Sequence, residues 1–132
     1  MRYLLDTNIF VYLANGSSPQ VLERFERLTA GEAHISVVTW GELCFGAQKS
    51  KRTEHNMQIF QQVRRLIPVL PLSLDVGDHY GRIRATLEHT GRPIGPNDLW
   101  IAAHALALNL TLISNNTREF ERIEDLKLEN WS

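Results

Sequence analysis

The chain has 132 residues, 43% hydrophobic and 22% charged, which is the balance of a globular domain and excludes a disordered chain. A formal net charge of −1 excludes a protein held on nucleic acid by its overall charge, so any such contact must use a local basic group. One cysteine excludes an internal disulfide, and no apolar run reaches the ~20 residues of a membrane helix. We therefore expect residues 1–132 to form one cytoplasmic domain that does not enter a membrane.

Strands and helices alternate along the chain. Strands are predicted from short apolar runs, and helices from apolar residues at helical spacing and from capping residues at their starts. In chain order the predictions are strand 2–5, helix 9–13, helix 18–30, strand 34–38, helix 40–48, helix 53–66, strand 69–72, helix 73–90, a helix beginning at 97–98, strand 110–114, helix 118–122 and strand 126–128. The third of these strands is expected near a sheet edge, because proline cannot donate to a strand ladder.

Two predicted helix starts involve acidic residues. Thr39 is predicted to cap the helix over 40–48, and Glu42 would complete a Thr-x-x-Glu capping box, which by itself could account for that glutamate. Asn97 is predicted to cap the next-to-last helix, with Asp98 in the first turn at the positive end of the helix dipole. Both acids therefore have a structural explanation beside a functional one.

Alternating strands and helices predict an α/β fold, a parallel sheet flanked by helices on both faces. Right-handed crossovers then bring the carboxyl ends of all strands to one edge, where sites form in open α/β folds. Asp6 ends the first strand, Glu42 follows the second, and Glu119 follows the fourth. Asp98 joins them if its loop brings the start of its helix to the same edge, so the sequence predicts an acidic cluster assembled by the fold.

Several carboxylates gathered at one edge would repel one another. At an effective dielectric constant of about 20, two unit charges ~4 Å apart cost about 4 kcal/mol. Such a cluster must protonate some members or bind a cation, and ligands that are all oxygens favour Mg²⁺ or Mn²⁺. Phosphoryl transfer is the chemistry that such sites perform best. Acids that only cap helices or strand ends remain an equal alternative on spacing alone.

Four segments carry a family resemblance. They are Asp6-Thr7-Asn8, Glu42 within Thr-Trp-Gly-Glu-Leu, Asp98 within Gly-Arg-Pro-Ile-Gly-Pro-Asn-Asp-Leu-Trp-Ile-Ala-Ala-His-Ala, and Ser-Asn-Asn-Thr-Arg-Glu-Phe from Ser114. In this order, over essentially the whole chain, they resemble the PIN-domain ribonucleases and, more narrowly, the VapC toxins of bacterial VapBC toxin–antitoxin pairs. The resemblance implies a PIN-like fold with a five-stranded parallel sheet.

The resemblance also implies what the chain does. The expected activity is Mg²⁺-dependent endonucleolytic cleavage of structured RNA, with tRNA, and initiator tRNA first, as the substrate to test. Cleavage would inhibit translation, a VapB antitoxin would neutralise it, and a homodimer is expected, within a possible larger toxin–antitoxin assembly. Mn²⁺ could replace Mg²⁺.

Roles follow for individual residues. Asp6 and Asp98 would be the metal ligands, and both would act in catalysis with Glu42 and Glu119. The expected supporting polar residues are Thr7, Asn8, Ser114 and Asn116. The expected RNA contacts are Arg92 and Arg118. Many relatives carry an aspartate where Asn116 stands, so the fourth acidic role passes to Glu119 or stays unfilled, and one tightly held ion is expected.

Other functions fit the sequence less well. A phosphoacceptor signalling domain would need adjacent acids near Asp6, and a phosphatase with an aspartate nucleophile would need an acid where Asn8 stands. A domain that only binds would be expected to have lost one of the acids Asp6, Glu42 and Asp98. A nuclease of this fold acting on other RNA or on DNA remains open.

Overall fold

The predicted α/β class is confirmed: a computed structural model, which describes residues 1–132, has a five-stranded parallel sheet with helices on both faces. The strands are β1 (Tyr3–Leu5), β2 (Ala33–Ser36), β3 (Val69–Leu70), β4 (Thr111–Ile113) and β5 (Leu128–Glu129). The helices are α1 (Thr7–Asn15), α2 (Pro19–Glu26), α3 (Val37–Lys49), α4 (Thr53–Leu66), α5 (Leu74–His89), α6 (Pro96–Leu108) and α7 (Thr117–Phe120). No helix has both the length and the apolar character needed to cross a membrane.

The strand order β3-β2-β1-β4-β5 puts β1 at the centre and β3 at an edge, as Pro68 and Pro71 predict. All neighbouring pairs are parallel, with Leu4 opposite His34 on one side and Leu112 on the other. The chain builds β2 and β3 on one side of β1, then crosses to build β4 and β5 on the other. The carboxyl ends of β1 and β4 therefore border the crevice at which this topology changes direction.

Alternation along the strands divides the core into two layers. Leu4 and Leu112 are fully buried on the face covered by α5 and α6. Leu5 and Ile113 are fully buried on the opposite face, where Phe10 of α1 packs with them. Successive strand side chains point to opposite faces, so both layers hold the central strands in one register.

Two predicted helix caps are wrong. Helix α3 begins at Val37 because Ser36, not Thr39, is its N-cap, and the Ser36 hydroxyl accepts from the Val38 N–H at 3.1 Å. Val37 and Val38, predicted as strand from their branched side chains, are helical because tertiary packing and this cap outweigh a weak β preference. The N-cap of helix α6 is Gly95, not Asn97. Pro96 is the first residue of this helix, because proline already has a helical φ.

Truncating Leu112 tests the two-layer core. This side chain is fully buried, so Leu112→Ala is expected to lower the free energy of unfolding by about 2–5 kcal/mol. Leu74→Ala makes the same change at a side chain that is 91% exposed, and its effect should stay within about 0.5 kcal/mol. Urea titration of both variants measures the difference, and equal effects would contradict the assignment of Leu112 to the core.

Candidate active site

Asp6 lies at the carboxyl end of β1, in the crevice between β1 and β4, and it caps helix α1. Its Oδ1 accepts from the Thr7 N–H at 2.8 Å and its Oδ2 accepts from the Ser114 hydroxyl at 2.7 Å. Burial raises the pKa of Asp6, the bonds from Ser114 and Thr7 lower it, and the charge of Glu42 raises it again, with a net upward shift. Each oxygen has one neutral donor, so lone pairs remain on both for a cation.

Glu42 lies on α3, one and a half turns from its start. The earlier N-cap, Ser36 instead of Thr39, removes the capping-box explanation, because Glu42 is the sixth residue of the helix. Its Oε1 accepts from the Thr7 hydroxyl at 2.7 Å. Thr7 thus contacts both acids: its backbone N–H binds Asp6 and its hydroxyl binds Glu42.

Asp98 lies in the first turn of α6, beside Glu119 of α7. Burial raises the pKa of Asp98 to about 7, with further contributions from the charges of Asp6, Glu119 and Glu42 and from a hydrogen bond to Glu119. The carboxyl group of Asp98 therefore loses its proton at a higher pH than that of an ordinary aspartate. Asn116 Nδ2 also donates to Glu119 Oε2 at 3.2 Å.

These side chains face an open polar cleft of about 200 Å³. The residues that line it are Asp6, Thr7, Asn8, Glu42, Asp98 and Asn116. Ser114 and Glu119 stand behind this lining and hold Asp6 and Asn116. The fold therefore brings together all four predicted acids and all four predicted supporting residues.

The donor set fits a hard divalent cation. No arginine, lysine or histidine forms an ion pair with any of the four acids, so their charge is balanced by no side chain. No three of the chain's His, Cys, Asp or Glu side chains are placed to hold a metal ion together. An open site with few protein ligands suits Mg²⁺, which keeps several waters and takes one or two carboxylates.

The two predicted RNA contacts lie outside the cleft lining. Arg118 is an exposed residue of α7, next to Glu119 in sequence. Arg92 is exposed in the loop between α5 and α6 and lines a separate groove along α5. Both arginines flank the acids in sequence, and neither touches them.

A buried polar link between α3 and α6 is absent from the sequence-based prediction. The Ser36 hydroxyl is 2.9 Å from His104 Nδ1, and both residues are almost completely buried. Burial lowers the pKa of His104, which keeps the ring neutral. Ser36 precedes the helix of Glu42 and His104 lies on the helix of Asp98, so this contact joins the two elements that carry these acids. The residues are 68 positions apart, and no local pattern signals the pair.

Asp98→Asn is expected to stabilise the metal-free protein at high pH. The folded-state pKa of about 7 exceeds the ordinary value of 3.8, so ionisation of Asp98 progressively destabilises the fold as pH rises between those values. The full shift corresponds to roughly 4 kcal/mol, and solvent screening of this partly exposed group reduces the expected gain to about 1–2 kcal/mol.

Urea unfolding in EDTA measures this gain, which should be larger at about pH 8 than at about pH 5. Asp78→Asn, at an exposed acid of α5, is the matched control and should show no such pH dependence. An Asp98→Asn effect that is independent of pH would contradict the raised pKa of Asp98.

Known proteins resemble the chain over its full length. The PIN domain family matches residues 3–126. The tRNA(fMet)-specific endonuclease VapC of Shigella flexneri is 42% identical, covering 100% of this chain and 99% of the relative. Among solved structures, VapBC2 from Rickettsia felis bound to a promoter DNA fragment matches with a TM-score of 0.93 and 39% identity, covering 100% of both chains. DNA-bound VapBC from Salmonella typhimurium matches with a TM-score of 0.94 and 36% identity, covering 100% of this chain and 99% of that one. The chain therefore belongs to the PIN-domain family and, within it, to the VapC toxins.

Proposed function

We propose that residues 1–132 act as a single-domain endoribonuclease, the toxin of a type II toxin–antitoxin pair, which cleaves structured RNA in the cytoplasm and so inhibits translation. The observation that carries this proposal is the unbalanced cluster of Asp6, Glu42 and Asp98 in one open cleft. Family membership supports the same reaction, since PIN-domain nucleases depend on divalent metal ions.

Asp6 and Asp98 are the proposed ligands of one Mg²⁺, which Mn²⁺ can replace. They project into the same cleft from the end of β1 and the start of α6, two elements that the sheet holds rigidly. A divalent ion bound here would supply Lewis acidity, stabilising charge on the phosphate and easing deprotonation of the attacking water. Because the pKa of Asp98 is raised to about 7, its carboxyl group has to lose a proton before it can bind the ion.

Glu42 is the proposed group that orients the attacking water and accepts its proton. The Thr7 hydroxyl donates a hydrogen bond to Oε1 of Glu42. Oε2 of Glu42 is therefore the oxygen that would receive the proton. Glu119 assists through its bond to Asn116 and its pairing with Asp98, in the role that an acid at position 116 has in many relatives. Thr7 and Ser114 hold Glu42 and Asp6, and Asn8 and Asn116 complete the polar lining.

The proposed substrate and partner come from the relatives. The Shigella relative is named a tRNA(fMet)-specific endonuclease, so initiator tRNA is the first substrate to test. The Rickettsia and Salmonella structures are VapBC complexes, so a VapB antitoxin is the proposed partner, bound to a homodimer of this chain. Arg92 and Arg118 are the proposed contacts to the RNA backbone.

Removing either metal-ligating charge tests the proposed reaction. Asp6→Asn and Asp98→Asn are each expected to reduce tRNA cleavage by at least about a hundredfold, because each removes a direct ligand. Cleavage of initiator tRNA by purified protein and growth of cells expressing each variant are the measurements. Asp78→Asn has the same charge change away from the cleft and should cleave normally. Full activity of either site variant would remove the proposed site.

Metal dependence is a separate test. EDTA should abolish cleavage, and added Mg²⁺ or Mn²⁺ should restore it. Because protons and metal compete for Asp98, affinity for Mn²⁺ measured by calorimetry should rise from about pH 6 to about pH 8 in the unmodified protein. Asp98→Asn should lose most of this dependence. Cleavage that persists under chelation would contradict a metal-dependent mechanism.

A further inference from the structure

A groove that contains three arginines lies along one face of α5, outside the cleft of the candidate active site. It is a groove of about 410 Å³ between this helix and the segment that follows α7. We call it the arginine groove and define it by the residues His79, Arg82, Thr86, Thr90, Arg92 and Arg122. His79, Arg82, Thr86 and Thr90 recur at helical spacing, so they form a stripe ~17 Å long on one side of the helix.

The three arginines of the groove have no carboxylate partner. Four other arginines of the chain form ion pairs, including Arg84 of the same helix, whose Nε lies 2.6 Å from Glu88 Oε2. Arg82 instead donates to His79 Nδ1 at 2.6 Å. Glu124 and Asp125 also line the groove, so three arginines against two acids leave a formal charge of +1, opposite in sign to the −1 of the whole chain.

The hydroxyl groups of the groove distinguish between possible ligands. Thr86 donates to the Arg82 carbonyl at 3.0 Å, and Thr90 donates to the Thr86 carbonyl at 3.0 Å. Their protons are therefore used within the helix, while their oxygens can still accept. Arginine donors suit phosphates, and hydroxyl acceptors suit the ribose 2′-OH, which RNA has and DNA lacks.

One end of the groove is joined to the loop that precedes α6. Arg122 Nη1 donates to the Pro93 carbonyl at 3.0 Å, which ties the segment after α7 to the loop that leads into α6. The Arg122 N–H also donates to the carbonyl of Glu119 at 3.2 Å. A strand of nucleic acid in the groove would thus run toward the two elements that carry Asp98 and Glu119.

We propose that the arginine groove binds the sugar–phosphate backbone of the RNA substrate at a distance from the cut. This inference rests on the proposed ribonuclease function and adds a binding surface to it. A backbone segment along α5 would place several phosphates beside the arginines, since successive phosphates of one strand lie ~3.4 Å apart along a duplex. The groove suits RNA because each unit of its backbone brings an anionic phosphate for the arginines and a 2′-OH donor for the threonine oxygens.

Arg82→Gln is the test variant, because Arg82 is exposed and remote from the acids. Binding of an initiator tRNA transcript, measured in EDTA over a series of salt concentrations, should weaken about three- to tenfold, and the salt slope should fall by about 1. In Mg²⁺, KM for the transcript should rise by a similar factor with little change in kcat. A short RNA oligonucleotide that spans only the acid cleft should be cleaved equally by the variant and the unmodified protein.

Two variants on the same surface are the controls. Arg84→Gln removes the same charge from a neighbouring face of α5, where it is already paired, and should bind the transcript almost normally. Glu124→Gln removes an acid from the groove and should tighten binding. Equal weakening by Arg84→Gln, or no weakening by Arg82→Gln, would overturn the proposal.

The outcomes also distinguish a failure of the groove proposal from a failure of the proposed ribonuclease function. If the unmodified protein cleaves no RNA, the ribonuclease function fails, whatever the variants bind. If cleavage is normal and Arg82→Gln weakens binding only to a polyglutamate peptide, the groove takes an acidic protein segment and the RNA proposal is wrong. Thermal unfolding of Arg82→Gln should match that of the unmodified protein. A loss of binding is then due to the missing arginine contact and not to a loss of folding.

Discussion

Repulsion among three carboxyl groups in one small cleft, with a fourth behind them, is the constraint on which the site depends. The chain does not neutralise these groups with basic side chains, since every ion pair in the structure lies elsewhere. It uses neutral donors instead: Thr7 for Glu42, Ser114 for Asp6 and Asn116 for Glu119. Neutral donors fix the positions of the oxygens without cancelling their charge, so the site keeps its attraction for a divalent cation.

The raised pKa of Asp98 follows from the same constraint. Without a cation, burial and three neighbouring acids push this pKa to about 7. Folding therefore has to hold the cluster together against its own charge. The two-layer core does so by burying Leu4 and Leu112 on one face of the sheet and Leu5 and Ile113 on the other, which anchors β1 and β4 beneath the cleft.

Helix positions matter as much as strand ends. Asp98 reaches the cleft because α6 begins at Pro96, and Glu42 reaches it because α3 begins immediately after β2. The buried contact between Ser36 and His104 joins these two helices at 2.9 Å. The neutral ring of His104 makes that link without adding charge beneath an already acidic cleft. Recognition of RNA is then assigned to basic residues elsewhere, including the groove along α5.

The sequence by itself determined the α/β class, the edge position of β3 and the position of three of the four acids just after strands, because these depend on local periodicity and on the common direction of parallel strands. It placed the starts of α3 and α6 too late, because Thr39 and Asn97 are residue types that can also cap a helix. Only the tertiary structure decided that Thr7 holds Glu42, that Ser114 holds Asp6 across 108 positions, and that Arg122 joins the loop at Pro93. Those contacts depend on how helices pack against the sheet, and no pattern in neighbouring residues encodes that packing.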